Sequence, residues 1–548
     1  MAYTNTAEAE QLDKPVITEH DEQPSGVLSK SLKATTYMVV FAIWIALSGW
    51  MVNYDISYGG TVLQMESFQK TFGHCKMAPN PKTGHLQETC TLSATAQSMV
   101  SFSQLFSAIG AAFSGFMGNY LGRRGTIQFG CLIVVIGAAC QCATAGSYVA
   151  YNVCKCLACF GVGHVNAGGP TFGVEVIAPS MRGALVSIFN IGLSIGLLTS
   201  SAICYGTSTI GNSWEWRTPV ILQIPLAVIY AAGMMLFPES PRWLLTKGKE
   251  QQARLALAKF YNKDSQAPEI TAQLRETEAY IELEKAQSST TSWTEIFHKS
   301  YIRRTTISIL VNVAGPLSGV PLIGTYAAVF FGAAGVTKPF LTQVYLGVCG
   351  LLGACCGPFI IEYVGRRLAI LFGLACMTVC MLIFSAVASG LGASSDTARN
   401  VLIAFLCLWF LVYGSCLSSS HWVVGVEVHS VRLRTYGAAI AVFSANTAYF
   451  AASFWTPYMI NPTAGNLGTK VGYFYLAITT VFFVVLLFLL PETARLSLEQ
   501  IDDLFVSGRK AWMTSLKRNK RIAKGELFDI SPEAHHVALS DAESKFQN

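Results

Sequence analysis

Two side chains of opposite charge stand well inside long apolar stretches of this sequence, Asp55 and Lys155. An acid in such a setting is costly unless it is protonated or paired, so it is functional by default. Asp55 lies a few residues before the end of one stretch, and Lys155 a similar distance after the start of another. Helices running in opposite directions therefore bring the two charges to one depth. Unprotonated Asp55 pairs with Lys155; a proton on Asp55 breaks the pair and frees the helices that carry it. Burial and a neighbouring ammonium act in opposite directions on a carboxyl, which allows titration near the working pH. Lysine adds a compact charge whose proton affinity shifts readily. A static structural ion pair is the alternative that these residue types leave open.

A second group of charges is organised by repetition. Gly122-Arg123-Arg124 recurs 243 residues later as Gly365-Arg366-Arg367. Glu175 with Arg182 recurs 252 residues later as Glu427 with Arg434, and Pro238-Glu239 recurs 253 residues later as Pro491-Glu492. Three pairs in one order at nearly one offset imply two homologous halves. Parallel repeats of this kind build carriers whose site lies between the halves, near the membrane midplane. Some of these arginines also mark topology, but acids contribute little to topology, so the repeated carboxylates need another explanation.

The elements that must hold these groups are membrane spans. Of 548 residues, 52% are hydrophobic and only 13% charged, against about 25% charged in a soluble domain. Apolar stretches at 38–60, 94–118, 125–145, 149–172, 184–205 and 219–237 precede a polar segment. Others follow at 306–331, 343–361, 368–388, 401–424, 438–459 and 471–490. Each approaches the roughly 20 residues that a helix needs to cross a bilayer, and an even number puts both termini on one side. The Lys/Arg-rich loops share that side, which predicts cytoplasmic termini.

The expected class is an all-α membrane protein of about twelve spans in two six-helix halves. Its expected divisions are an N-terminal tail (1–37), a first bundle (38–237), cytoplasmic linker helices (238–304), a second bundle (305–490) and a cytoplasmic tail (491–548). No cleavable signal peptide is expected, because the start is polar and acidic. The basic run of the tail, Arg509 to Arg521, suits the anionic inner leaflet.

Taken in order, these motifs resemble the sugar porter family of the major facilitator superfamily, over nearly all of 38–505. Tyr54-Asp55, Gly122-Arg123-Arg124, Glu175 with Arg182, and Pro238-Glu239-Ser240-Pro241-Arg242 carry the first half of the resemblance. Glu362 with Gly365-Arg366-Arg367, Trp422, Glu427, Arg434 and Pro491-Glu492-Thr493 carry the second.

The resemblance implies a secondary carrier working by alternating access, with Asp55 and Lys155 at the positions of proton coupling. It implies salt bridges that latch the inner gate, formed by Arg123, Glu175, Arg182, Glu239, Arg242, Glu362, Arg366, Glu427, Arg434 and Glu492. It places substrate contacts at Asn190, Tyr326, Trp422 and Asn446; packing or interface roles for Trp422 and Tyr326 stay open. Its fungal members imply the plasma membrane. Two departures matter. Asn119 stands where an acid is expected before Gly122, and Gly315-Pro316 and Pro321 replace a Gln-Gln pair and an Asn in the seventh span. Losing those amides removes directed hydrogen bonds, which opens larger glycosides, polyol-like solutes and non-sugars as cargo.

Most of the sixteen cysteines lie in apolar runs as small core residues. Cys75 and Cys90 flank a polar loop, where a disulfide and unpaired thiols contacting a metal with His74 and His85 are both open readings. No phosphate-binding loop or His/Cys metal spacing is present, so neither a cofactor nor a metal centre is expected. The expected partners are a sugar-like solute, protons and lipid, with a monomeric assembly and no nucleic acid. No catalytic constellation argues for an enzyme. An efflux carrier or uniporter of the same fold, and a non-transporting nutrient receptor, are the competing functions.

Overall fold

In the computed structural model, residues 35–523 and Leu527 are described, apart from 80–85, 145, 178–181, 289–291, 334–335, 337, 391–395, 431–432, 462–463 and 497. The N-terminal tail to residue 34, His85 and the side chain of Arg182 lie outside the described residues.

Among the described residues, ten helical stretches are long and apolar enough to cross a bilayer. One of them, Ala94–Ala143, has 50 residues, roughly 75 Å of helix and far more than one crossing. It breaks at Gly122, whose φ of 80° and ψ of 177° are not helical. Phe113 before the break and Gly137 after it both meet the next helix at Ala158–Phe160. The chain therefore doubles back, and residues 102–121 and 123–143 form separate spans, α2 and α3.

The next helix, α4 (Tyr148–Val176), is 29 residues long, enough to cross. It is less apolar than the rest because it carries Asn152, Lys155, His164 and Asn166. With α1 (Thr36–Thr61), α5 (Arg182–Thr207) and α6 (Trp214–Leu236), these complete a first six-helix half. The second half comprises α7 (Ile302–Gly324), α8 (Pro339–Val364), α9 (Arg366–Gly390), α10 (Thr397–Glu427), α11 (Arg434–Ile460) and α12 (Val471–Leu489). Helices Pro241–Thr246, Glu250–Tyr261 and Pro268–Ser288 lie between the halves in sequence.

Three apolar cores hold this arrangement. One, from Ile307 to Leu490, belongs almost wholly to α7–α12. The second, from Met38 to Leu274, belongs to the first half and the helices that follow it. The third is rich in aromatic side chains, among them Tyr54, Tyr58, Phe68, Tyr151 and Trp216, and takes in Tyr326 and Val329 from beyond α7.

Strands β1 (His74–Pro79) and β2 (Leu86–Thr91) form an antiparallel hairpin after α1. Cys75 pairs in register with Cys90, and the two are joined by a disulfide. Both sulfurs are thereby withdrawn from metal ligation. The hairpin marks one face of the bundle, and the Gly-Arg-Arg turns mark the other.

Gly365 repeats the Gly122 turn with a φ of 96°. A side chain at Gly122 would strike the Glu239 carboxylate, and one at Gly365 would stand 2.6 Å from Glu492 Oε2. Gly122→Ala should therefore cost about 2–4 kcal/mol, from left-handed strain and displacement of Glu239 together. A drop in the melting temperature of the detergent-purified protein would show it; an unchanged melt would mean that the turn relaxes freely.

Candidate functional site

The first functional cluster is assembled by α1 and α4. Lys155 Nζ donates to Asp55 Oδ1 at 2.7 Å and to the Asp55 backbone carbonyl at 2.8 Å. Asp55 Oδ2 accepts from the Cys159 thiol, one turn further along α4, at 2.8 Å. Both charged side chains are inaccessible, 0% and 1% exposed. The ammonium also lies 3.9 Å from the centre of the Tyr58 ring, an arrangement that favours a desolvated cation.

Such close approach needs space on α1. A Cβ at Gly59 would stand 3.2 Å from Lys155 Cε. Glycine there lets the lysine stem lie flat against the helix. The residue types announced the pair, but nothing in the sequence distinguishes Cys159, Tyr58 or Gly59 from ordinary core residues.

The second cluster is built twice on the opposite face. In the first half, Glu239 accepts from the backbone N–H groups of Arg123 at 3.0 Å and Arg124 at 3.2 Å, capping α3. Arg123 grips Glu175 through Nε and Nη2, at 3.0 and 2.8 Å. Ser240 Oγ donates to the other oxygen of Glu175 at 2.6 Å. In the second half, Glu492 caps α9 through the N–H groups of Arg366 and Arg367. Arg366 pairs with Glu427 at 3.1 Å, and Thr493 Oγ1 donates to Glu427 at 3.0 Å. A carboxylate at a helix N-terminus is stabilised by free N–H groups and the helix dipole. Burial nevertheless pushes the Glu239 carboxyl above the usual carboxylate range, against the three backbone N–H groups that favour its charge.

The halves differ at one point. Glu362 pairs with Arg495. The first-half counterpart of Arg495 is Arg242, and the counterpart of Glu362 is the neutral Asn119. Arg242 turns instead to Glu284 in the linker, and the Trp243 indole donates to the Asn119 carbonyl at 3.3 Å. The acids paired with Arg123, Arg242, Arg366 and Arg495 (Glu175, Glu284, Glu427 and Glu362) all lie within the same sequence half or the linker that follows the first. Arg434 stands close enough to Glu427 to attract it.

The expected substrate residues are divided between two environments. Asn190 on α5 is buried and bonds across the halves, donating to Ser418 O at 3.1 Å and accepting from Ser418 Oγ at 3.3 Å. Ser418 follows a π turn in α10, Tyr413–Leu417, a distortion common at functional positions. Tyr326 is buried and also crosses the halves, with its hydroxyl 3.3 Å from Ser101 Oγ. Nearby, Ser98 Oγ donates to Phe454 O at 2.9 Å. Trp422 and Asn446 are half-buried, and the Trp422 ring lies 4.8 Å from that of His421.

Helix α7 is interrupted after Leu317 and resumes at Val320. A Cβ at Gly315 would stand 3.1 Å from the Tyr413 ring, so Tyr413 fills space left by the missing amides. Thr325 and the Tyr449 hydroxyl lie 2.9 Å apart. Neither tyrosine stood out in the sequence, because a tyrosine in an apolar stretch reads as core.

A family model described as "Sugar (and other) transporter" matches residues 41–505. The chain belongs to that family. It is 27% identical over 504 residues to a probable glucose transporter of Neurospora crassa, covering 90% of this chain and 82% of that one. It is 28% identical over 516 residues to a high-affinity gluconate transporter of Schizosaccharomyces pombe, covering 93% and 88%. The xylose transporter XylE of E. coli, in a partially occluded inward-open conformation, superposes with a TM-score of 0.68 at 18% identity, over 84% of this chain and 99% of that one. That likeness shows the major facilitator fold. The protein is thus an integral membrane transporter and not an enzyme.

Removing one member of a buried ion pair strands the other charge and typically costs about 3–5 kcal/mol. Lys155→Met should therefore lower the melting temperature sharply, and a further Asp55→Asn change should restore much of the loss. Equal melts for the single and double variants would show that Asp55 has another sufficient partner.

Proposed function

We propose that this transporter imports a hexose or a closely related sugar acid or polyol together with a proton. The observation that carries the proposal is the fully buried Asp55–Lys155 pair. In hydrocarbon a carboxylate and an ammonium hold each other; protonating Asp55 leaves a lone ammonium, and α1 and α4 lose their strongest tie. The equilibrium between conformations then depends on the proton, as coupling requires. The likeness of fold to XylE, a proton:xylose symporter, supports this reading as an analogy.

The cargo class rests on the names of the relatives, which include glucose and gluconate transporters. It also fits the polar and aromatic groups at and near the expected substrate positions. Asn190, Trp422 and Asn446, joined by Tyr413 and Tyr449, offer amide and hydroxyl partners and rings on which a sugar can stack. Tyr326 closes the hairpin side. The Arg123–Glu175 and Arg366–Glu427 knots and their neighbours, Arg182, Glu239, Arg242, Glu362, Arg434 and Glu492, form the inner gate. The arginine-rich face is cytoplasmic by the distribution of basic residues. Both termini therefore lie inside, the membrane is the plasma membrane, and the working unit is a monomer.

The test is uptake of labelled D-glucose, D-fructose, D-xylose and D-gluconate into proteoliposomes, with and without an inward proton gradient. Accumulation of one of them should track the gradient. Asp55→Asn should abolish accumulation while leaving counterflow intact. Gradient-insensitive exchange would identify a uniporter, and binding without flux a receptor; concentrative uptake by Asp55→Asn would remove this residue from coupling.

A further inference from the structure

Around the ion pair, the buried polar atoms are distributed unevenly. On the arginine-rich side of Asp55, α1 and α4 meet through a mainly apolar core that includes Ile45, Met51, Val52, Val162 and Val165, with Ser48, His164 and Tyr230 as buried polar side chains further from the pair. On the hairpin side the packing is aromatic and polar. There, Tyr58 Oη donates to Gln141 Oε1 on α3 at 3.1 Å. Gln223 on α6 faces the same hydroxyl, and Tyr151 on α4 faces Gln141.

Among the described residues, Gln141 Nε2, both amide atoms of Gln223, Tyr151 Oη and Trp216 Nε1 find no partner at good hydrogen-bond geometry. Gln141 and Gln223 are completely buried. Buried polar groups are ordinarily satisfied by protein or ordered water, and a buried water needs two to four polar partners. Donors and acceptors here come from four different helices and converge within the membrane. Two unrelated observations therefore coincide: a set of unsatisfied amide and hydroxyl groups, and a carboxylate with no exposed atom.

We infer that Gln141 and Gln223, with Tyr58 and Tyr151, hold a chain of buried water that carries protons between the hairpin side and Asp55. The inference rests on the proposed coupling role of Asp55. Aromatic side chains of the short helix Glu66–Phe72 cap the chain: Phe68 lies 5.8 Å and Phe72 5.5 Å, centre to centre, from the Trp216 ring. In the transfer step, a hydronium in the chain gives one proton to the Asp55 carboxylate and becomes water. Lys155 keeps its own proton, and the chain is recharged from the solution on the hairpin side. The titratable groups around Asp55 are Lys155, Cys159, Cys156 and Tyr151 on α4, Tyr54 and Tyr58 on α1, and Cys204 on α5 beside Tyr54. None of them is an amide, so Gln141 and Gln223 act by positioning water and leave the charge of the site unchanged.

The test uses the full-length protein in liposomes. Infrared difference spectra after a rapid drop in external pH should show a carboxylic-acid band that disappears in Asp55→Asn. In Gln141→Leu/Gln223→Leu that band should grow about tenfold more slowly, the scale of one lost hydrogen bond. Gln223→Asn should recover part of the rate. In wild-type protein, radiolytic hydroxyl labelling should also mark Tyr58 and Tyr151 despite their burial, a readout that does not depend on the variants folding.

An unchanged rate in a folded double variant, or no labelling of either tyrosine, would overturn the water chain and leave the role of Asp55 standing. A titrating band that survives in Asp55→Asn, or no titrating band in wild type, would overturn both.

Discussion

Everything in the first half is arranged around two charges that neither water nor lipid can solvate. Lys155 satisfies itself on Asp55 twice, through a carboxylate oxygen and a backbone carbonyl, and a third time on the face of Tyr58. Asp55 uses its second oxygen on Cys159. In a low-dielectric interior, such satisfaction decides whether a buried pair is tolerable or ruinous. It constrains the surrounding residues in turn: glycine at position 59, a tyrosine one turn from Asp55, and a thiol one turn from Lys155. The pair ties α1 to α4 inside one half. On the proposed mechanism, its protonation state acts first on the packing within that half, and only through that packing on the surfaces facing the other.

The opposite face shows how duplication builds one charged knot twice and how one substitution individualises it. Both halves fold the same knot, in which a glycine turn, a capping glutamate and an Arg–Glu pair are closed by a hydroxyl from Ser240 or Thr493. The second half adds Glu362–Arg495 and is braced from below. Asn519 donates to the carbonyls of Glu492 and Ala494 at 2.9 and 3.0 Å, and Arg304 pairs with Asp502. The first half has Asn119 in place of the acid, and Arg242 is released to the linker. Arg242 and Glu284 both belong to the linker, so the arginine that the missing acid leaves available ties two linker helices to each other. The two knots, nearly identical in themselves, therefore differ in what surrounds them.

Much of this was legible in the sequence because charges and glycines in apolar stretches have few permissible uses. Asp55 and Lys155 could be matched by type and depth, and the Gly-Arg-Arg turns by their repetition. The break at Gly122 separates two spans inside what is otherwise one 50-residue helical stretch, and the sequence divided it at nearly the same place. What escaped was neutral. Cys159, Tyr413, Tyr449, Gln141 and Gln223 lie in stretches whose periodicity is uninformative, because every face of a membrane helix is apolar. The partners of the charged residues on the opposite face also escaped: a sequence places Arg242 and Glu284 on one side of the membrane but cannot show that, with Asn119 in place of an acid, one turns to the other. Asn190 was expected as a sugar contact and is found bonded to Ser418. On the proposed function, its amide becomes available to cargo only when the halves part there.

The uneven surroundings of Asp55 bear on how a coupled carrier avoids leaking. A carboxyl reachable from both solutions at once would conduct protons without cargo. On the proposed mechanism, the apolar side chains Ile45, Met51, Val52, Val162 and Val165 supply the barrier on the arginine-rich side, because a proton does not cross hydrocarbon without a polar path. The amides and hydroxyls lie on the other side, beneath a lid of aromatic rings. On the proposed mechanism the conformation described here is one in which the carboxyl has polar company in a single direction. Reversal of access then requires α1 and α4 to slide or tilt enough to exchange an apolar neighbour for a hydrated one. Loss of the ion pair on protonation is the event that removes the strongest resistance to such a movement, so the proton that neutralises Asp55 also unlocks its own route of exit.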